Sequence, residues 1–384
     1  MSNAEALTSP QVSNSHRWRQ WLLVVLMIYI LISAVSIIGS GFKAATGGHA
    51  QELFAFASNP YVGLVIGIIA TALIQSSSTV SSLIVGMVAG GLPVHIAIPM
   101  IMGSNVGTTV TNTLVSLGHV RDKDEFRRAF SAATVHDFFN LIAVAIFLPL
   151  EIMFGLLDKV SSWLTGFFIS PESYSMSNIN VIKSLTKPLV NAVDTATSVL
   201  PGSFAGVAMI LIGLVLIFFA ITYIGKLLKV LMVGRAKAIM HSAIGRGPIT
   251  GIASGALVTT FVQSSSTTTS LMVPLAGSGT FSLKQIYPFM LGANIGTTVT
   301  ALLAATAITG SLAASALGIA LVHLLFNLFA VAVIFGLPFL RNLPIRGAEW
   351  LADIAAEQKV YAAIWVLGVF ILVPMLLILV SLIF

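Results

Sequence analysis

One polar string, Gln-Ser-Ser-Ser-Thr, occurs twice in an otherwise apolar chain, at residues 75–79 and 263–267. Each copy offers hydroxyls, an amide and, where a helix begins, unpaired backbone N–H groups that favour an anion. Neither copy contains Lys or Arg, and a fixed cation in the middle of a bilayer is costly. Two such strings meeting from opposite sides would hold a small oxyanion by hydrogen bonds alone. The predicted anion-binding residues are Ser76, Ser77, Ser78, Ser264, Ser265, Ser266, Asn105 and Asn294.

Two further motifs repeat in the same order. Residues 103–111 read GSNVGTTVT and residues 292–300 read GANIGTTVT, while His136/Asn140 is matched by His323/Asn327. Each second copy follows its first by 187 to 189 residues. Three motifs at nearly one offset indicate an internal duplication of the chain.

The second motif is rich in the oxygen ligands that alkali cations prefer. One acid, Asp137, falls inside a predicted span, where a carboxylate is a functional candidate by default. Leu324 replaces it in the second copy, so a cation role for this carboxylate is one-sided. We expect His136 and His323 to make interhelical hydrogen bonds. The predicted sodium-binding residues are Gln75, Gln263, Thr79, Thr109, Asp137, Thr297, Thr298 and Thr300.

The composition dictates what must surround these residues. Of the 384 residues 57% are hydrophobic and 8% are charged, whereas soluble domains carry about 25% charged residues. Lipid must therefore solvate much of the chain. Cysteine is absent, which excludes disulfides and thiolate metal sites. The basic residues form no dense run and no patch interleaved with aromatic residues, so we expect no nucleic-acid binding. We also expect no cofactor, with sodium as the only metal.

The apolar segments predict an all-α integral membrane protein. About seven segments reach ~20 residues, enough to cross ~30 Å of hydrocarbon. Four shorter ones form two pairs, each split by the serine string, which favours re-entrant hairpins. Three crossings separate the two strings, so the copies should face opposite sides of the membrane. The prediction is inverted repeats, each with a re-entrant helical hairpin and an interrupted transmembrane helix.

Charge placement predicts the orientation and the boundaries. Five basic residues and no acid lie in 226–246, which favours a cytoplasmic interfacial segment, and Arg17 and Arg19 place the N-terminus on that side. We divide the chain into a cytoplasmic tail (1–20), a first repeat (21–150), an extracytoplasmic loop (151–205) and a second repeat (206–384) that includes a final transmembrane helix.

At these motifs the sequence resembles the type II sodium–phosphate cotransporters, which carry two QSSST strings, each followed by a GxNxGT string. The segments EFRRAF (125–130), ATVHDFFN (133–140), IYP (286–288) and LPIR (343–346) extend the likeness. The resemblance covers the chain from about residue 20 onward.

The resemblance implies sodium-driven import of inorganic phosphate across the plasma or inner membrane by alternating access. It assigns phosphate to the two serine strings, and sodium to Gln263, Thr297, Thr300 and the acid matching Asp137. Family members with that aspartate are electrogenic, so the resemblance implies net charge movement. The expected partners are phosphate, sodium and membrane lipid, and the sequence leaves the oligomeric state open.

Other functions remain compatible with the residues alone. The same fold could carry sulfate, arsenate or a small carboxylate, or act as a passive channel. An intramembrane serine hydrolase would need a positioned base, for which His136 is the candidate. The sequence has no GxSxG context, and duplicating a nucleophile would serve no hydrolytic purpose.

Overall fold

The computed structural model describes residues 14–168, 178–244 and 246–383, and all regular elements within these ranges are helices. The first half comprises α1 (Asn14–Thr46), α2 (Ala50–Leu53), α3 (Pro60–Ile74), α4 (Ser77–Ala89), α5 (Val94–Gly107), α6 (Val110–Ser116) and α7 (Lys123–Phe154). The linker contains α8 (Leu156–Phe168) and α9 (Asn178–Thr197). Short 3-10 turns lie at Ala55–Ser58 and Leu117–His119.

The second half repeats this order of helices. It comprises α10 (Ser203–Ala243), α11 (Pro248–Val262), α12 (Ser265–Ser270), α13 (Met272–Gly277), α14 (Leu283–Ala305) and α15 (Ala313–Ala330), followed by α16 (Pro338–Arg341), α17 (Leu343–Glu357), α18 (Val360–Leu367) and α19 (Val373–Ile383). A 3-10 turn at Gly310–Leu312 precedes α15. Single π-turns at Val331–Phe335 and Gly368–Leu372 extend α15 and join α18 to α19.

Six described helices are long and apolar enough to cross a membrane. They lie at Trp18–Thr46, Lys123–Phe154, Ser203–Leu228, Leu283–Ala305, Gly310–Phe335 and Val360–Leu379. The seventh predicted span, 95–117, is divided between α5 and α6. The hairpin limbs α3, α4 and α11 have only 13 to 15 residues, about 20–23 Å at 1.5 Å per residue. Each is shorter than the ~30 Å hydrocarbon core, as the re-entrant prediction requires.

Glycine pairs bring the first limb of each hairpin against the helix that follows it. A Cβ atom on Gly67 would lie 2.0 Å from the Met100 carbonyl oxygen, and one on Gly103 would lie 2.0 Å from that of Leu64. The second half repeats the arrangement between Gly255 and Gly292, where a Cβ atom on either residue would approach a carbonyl oxygen to 1.9 Å. Small residues permit this backbone contact between membrane helices. The duplicated sequence therefore builds two similar helix pairs, α3–α5 and α11–α14.

One sequence prediction about the elements needs correction. An interrupted helix was predicted in both repeats, but α14 of the second repeat runs unbroken. The corresponding helix of the first repeat breaks at Thr108-Thr109, where the Thr109 N–H bonds to the carbonyl of Val106, three residues back. In segment 226–246, α10 continues to Ala243 without forming a separate helix. The predicted loop 151–205 contains α8 and α9, and the side of the membrane on which each segment lies stays a prediction. Residues 1–13 of the predicted tail lie outside the described residues, and its remainder opens α1.

Candidate functional site

The two serine strings fold into the same backbone turn. Gln75 and Gln263 have φ of 58° and 57°, and among the described residues they are the only non-glycine positions with positive φ. Left-handed backbone is unfavourable for such residues and tends to cluster at functional sites. Ser76 and Ser264 then cap the next helices, each accepting a hydrogen bond at 3.2 Å from the N–H three residues on. In each string, therefore, one helix ends at the strained glutamine and the next helix begins directly after the first serine.

Both turns line one cavity of about 300 Å³. Each turn contributes its glutamine, its first serine and its threonine, and α10 closes one side. The lining residues are Gln75, Ser76, Thr79, Phe218, Ile221, Thr222, Gly225, Lys226, Val262, Gln263, Ser264 and Thr267. A tetrahedral oxyanion fits a space of this size. Among the described lining residues, Lys226 is the only charged one, and it lies on the α10 side.

The side chain of each glutamine accepts a hydrogen bond from a threonine hydroxyl on a following helix, α6 for Gln75 and α14 for Gln263. Thr300 donates to Gln263 Oε1 at 3.0 Å, and Thr111 donates to Gln75 Oε1 at 2.6 Å. The two threonines occupy matching positions of the duplicated motif. The Gln263 pair is buried, whereas the Gln75 pair is exposed. Each turn therefore has a fixed amide oxygen beside the cavity, a suitable ligand for an alkali cation.

The motif asparagines lie in hydrogen bonds that cross between the two halves. Asn294 accepts from His136 Nε2 at 2.7 Å and donates to Asn140 Oδ1 at 2.8 Å. Its counterpart Asn105 accepts from His323 Nε2 at 3.1 Å and donates to Asn327 Oδ1 at 2.7 Å. All six side chains of this network are buried.

The network answers two of the sequence predictions. Both histidines make the interhelical bonds that were expected. Each histidine donates to an asparagine amide oxygen, and neither has a described hydrogen bond to a serine. The alternative of a serine hydrolase therefore lacks the general base that it needs. Asn105 and Asn294 do not line the cavity in the described part of the chain, and their amide groups are already bonded. Their assignment to phosphate stays a prediction that the geometry does not support.

Asp137 lies on α7 at a fully buried position. Its Oδ2 accepts from the indole N–H of Trp365 at 2.7 Å. The hydroxyls of Thr109 and Thr113 lie beside the carboxyl group. Within the described part of the chain, neither Asp137 Oδ1 nor the Thr113 hydroxyl makes a hydrogen bond of good geometry, although Thr109 and Thr113 are close enough to interact with the carboxyl group. Carboxylate and hydroxyl oxygens of this kind are suitable ligands for an alkali cation.

The remaining predicted residues divide into two groups. Ser77, Ser78, Ser265 and Ser266 are buried in the first turns of α4 and α12, directly behind the cavity-lining caps. Thr297 and Thr298 each donate to a backbone carbonyl of α14, and Thr109 donates to the Val106 carbonyl of α5, all at 2.7 to 3.0 Å. A hydroxyl that donates to the backbone keeps its lone pairs free to bind a cation.

Four residues near the site were missed. Thr111 and Thr113 lie in or beside the duplicated motif, and the repeat offset from Thr300 would have found Thr111. Asn112 accepts from Thr269 and Ser270 of the second hairpin at 2.9 and 3.0 Å, but its counterpart in the second repeat is alanine. Lys226 was read as part of a basic cytoplasmic segment, and only the three-dimensional fold brings it to the cavity.

These features define an all-helical, multi-pass membrane protein with a polar site between two duplicated hairpins. The chain matches the family described as Na+/Pi-cotransporter over residues 30–170 and 216–341, and it belongs to that family.

Similar curated proteins cover nearly the whole chain. Sodium-dependent phosphate transport protein 2B of Bos taurus is 32% identical over 93% of this chain and 64% of its own length. Sodium-dependent phosphate transport protein 2A of Rattus norvegicus is 34% identical over 92% of this chain and 66% of its own length. The chain thus spans slightly less than two thirds of these relatives. No solved structure matches it significantly.

Proposed function

We propose that this protein is a secondary transporter that couples the import of inorganic phosphate to sodium entry. The observation that carries the proposal is the single cavity lined by both serine turns in a member of the Na+/Pi-cotransporter family. The names of the relatives, sodium-dependent phosphate transport proteins, give the same cargo and coupling ion.

Phosphate would bind between the two turns, with Ser76 and Ser264 as the nearest hydroxyls. The N–H groups in the first turn of α4 that have no partner within the helix would be available to the anion. Lys226 adds one positive charge to the wall without lying in either string. The serines directly behind the caps would support the turns or exchange hydrogen bonds as the cavity changes shape.

Sodium would bind where oxygen atoms are fixed but uncharged, and at the one buried carboxylate. Gln263 with Thr300, and Gln75 with Thr111, are the first type of site. Asp137 with Thr109 and Thr113 is the second. Sodium charge offsets that of the incoming dianion, so external sodium would bind first and order the site. Low cytoplasmic sodium would then promote release.

The charge distribution supports a cytoplasmic N-terminus. The two halves would be inverted across a plasma or inner membrane, because an odd number of crossings separates the two strings. The Asp137 carboxylate would make the transport cycle electrogenic. Replacing Asp137 with Gly should remove net charge movement while sparing some transport. A phosphate-evoked current that persists in this variant would reject the role of the carboxylate.

Uptake of labelled phosphate into proteoliposomes tests the proposed function. An inward sodium gradient should drive accumulation above the outside concentration, and choline in place of sodium should abolish it. Excess unlabelled sulfate or a small carboxylate should leave uptake intact, whereas arsenate should compete because it has the same shape and charge. Equal uptake with sodium and choline would refute the coupling, and full competition by sulfate would change the cargo.

A further inference from the structure

One hydrogen bond joins the end of the chain to the buried carboxylate. The indole N–H of Trp365, in α18, donates to Asp137 Oδ2 at 2.7 Å across 228 positions of sequence. The Trp365 ring also stacks on Phe138, with centroids 4.8 Å apart and planes 27° apart. The ring contact fixes the indole plane, so the N–H direction is set by packing as well as by the bond.

The bond decides which oxygen of Asp137 is available. With Oδ2 held by Trp365, Oδ1 makes no hydrogen bond of good geometry in the described part of the chain. The hydroxyls of Thr109 and Thr113 are close enough to interact with the carboxyl group. None of the ion pairs within the described ranges includes Asp137. No described basic side chain therefore competes with a cation for this carboxylate.

α18 has no counterpart among the helices of the first half, and it follows α17, which packs on α7. The preceding helix α17 packs on α7 through alanines and through Phe126 and Phe130. Two ion pairs, Lys123–Glu357 and Arg127–Asp353, join the ends of these helices. These contacts fix the position of Trp365 along α7, beside Asp137.

We propose that Trp365 is a positioning residue for sodium, which it serves by orienting the Asp137 carboxylate. The inference rests on the proposed function and extends it to a helix beyond the duplicated core. The indole would hold Oδ2 and present Oδ1 to the ion beside Thr109 and Thr113. Loss of the N–H would let the carboxylate rotate, which weakens sodium binding while leaving the phosphate turns untouched.

The test compares Trp365→Phe with the matched variant Trp350→Phe. The first keeps an aromatic ring against Phe138 and removes the indole N–H together with one ring of the indole. The second removes an indole from the neighbouring α17, where the side chain is 60% exposed. In proteoliposomes, Trp365→Phe should raise the sodium concentration for half-maximal phosphate uptake by about tenfold, the scale of a hydrogen bond to a charged group, with the phosphate KM at saturating sodium unchanged. Trp350→Phe should match the wild type.

A second measurement does not depend on transport. Sodium chloride, compared with choline chloride, should raise the unfolding temperature of the detergent-solubilised wild type, and Trp365→Phe should need about tenfold more sodium for the same rise. In an Asp137→Gly background, adding Trp365→Phe should change nothing more. Superimposable sodium curves for Trp365→Phe and the wild type, or a further loss in the glycine background, would overturn the inference. Absence of sodium-driven uptake by the wild type would instead overturn the proposed function.

Discussion

The hydroxyl of Thr300 offers a well-defined perturbation of the site. It donates to Gln263 Oε1 at 3.0 Å, and the two residues are 1% and 6% exposed. Thr300→Val keeps the shape of the side chain and removes only the donor. A buried acceptor left without a partner costs about 1–3 kcal/mol, and at about 2 kcal/mol a binding constant changes roughly thirtyfold. Sodium affinity should fall by that order, because Gln263 loses its orientation and the site loses one oxygen.

Two matched variants isolate the cause. Thr165 is also buried, but its hydroxyl bonds to the Ser161 carbonyl within its own helix, α8. Thr165→Val therefore leaves no partner stranded on another element. Thr111→Val breaks the corresponding bond to Gln75 in the first repeat, where the glutamine is exposed. Water can replace the lost donor there, so the effect should be several-fold smaller.

The assay is the sodium dependence of phosphate uptake in proteoliposomes at saturating phosphate. Reconstituted protein is quantified for each variant, and its melting temperature in detergent shows whether folding is intact. From highest to lowest, the predicted order of half-maximal sodium concentration is Thr300→Val, then Thr111→Val, then Thr165→Val together with the wild type. Equal curves for Thr300→Val and Thr165→Val would refute the reasoning that the bond to Gln263 fixes the site.

Three further outcomes are expected. Lys226→Gln should raise the phosphate KM by about three- to tenfold, an effect that shrinks with added salt, while Lys43→Gln, which removes the same charge at the end of α1, should leave it unchanged. Gly255→Val should abolish the folded, monodisperse protein, because its Cβ atom would lie 1.9 Å from a carbonyl oxygen of α14, whereas Gly118→Val faces open space and should fold. Asp353→Asn breaks an exposed ion pair with an arginine of α7 and should cost less than about 1 kcal/mol, measured as a melting-temperature shift of a few degrees at most.

Duplication made the helical plan readable from the sequence. The two QSSST strings, each between short apolar limbs, predicted two matching hairpins, and the structure has a left-handed glutamine and a serine cap in each. The paired glycines recur at the same offset as the strings, so the helix pairs they permit are duplicated as well. Local chemistry of this kind is repeated wherever the residues are repeated.

The contacts between the halves were not readable in the same way. Asn105 meets His323 over 218 positions, and Trp365 meets Asp137 over 228. No local pattern specifies such partners, because they depend on how complete helices pack. Lys226 illustrates the same limit: its charge suggested a cytoplasmic segment, and packing of α10 on the second hairpin at Gly225 brings it to the cavity.

Symmetry also led the sequence reasoning too far. The duplicated GxNxGT string suggested two interrupted helices, yet α14 is continuous while α5 and α6 are separate. The first repeat differs at Asn112, which bonds to the opposite hairpin, and alanine stands at the matching position of the second. Copies of one motif thus diverge where a neighbouring side chain makes a contact that only one of them has.

Cysteine modification tests most directly whether the shared cavity is the transport site. The chain contains no cysteine, so Ser264→Cys provides a single reactive thiol at the cavity wall. A charged methanethiosulfonate reagent should stop sodium-driven phosphate uptake, and sodium with phosphate together should slow the modification. Complete modification of this cysteine with uptake unchanged would contradict the account, because no anion could then pass between the two serine turns.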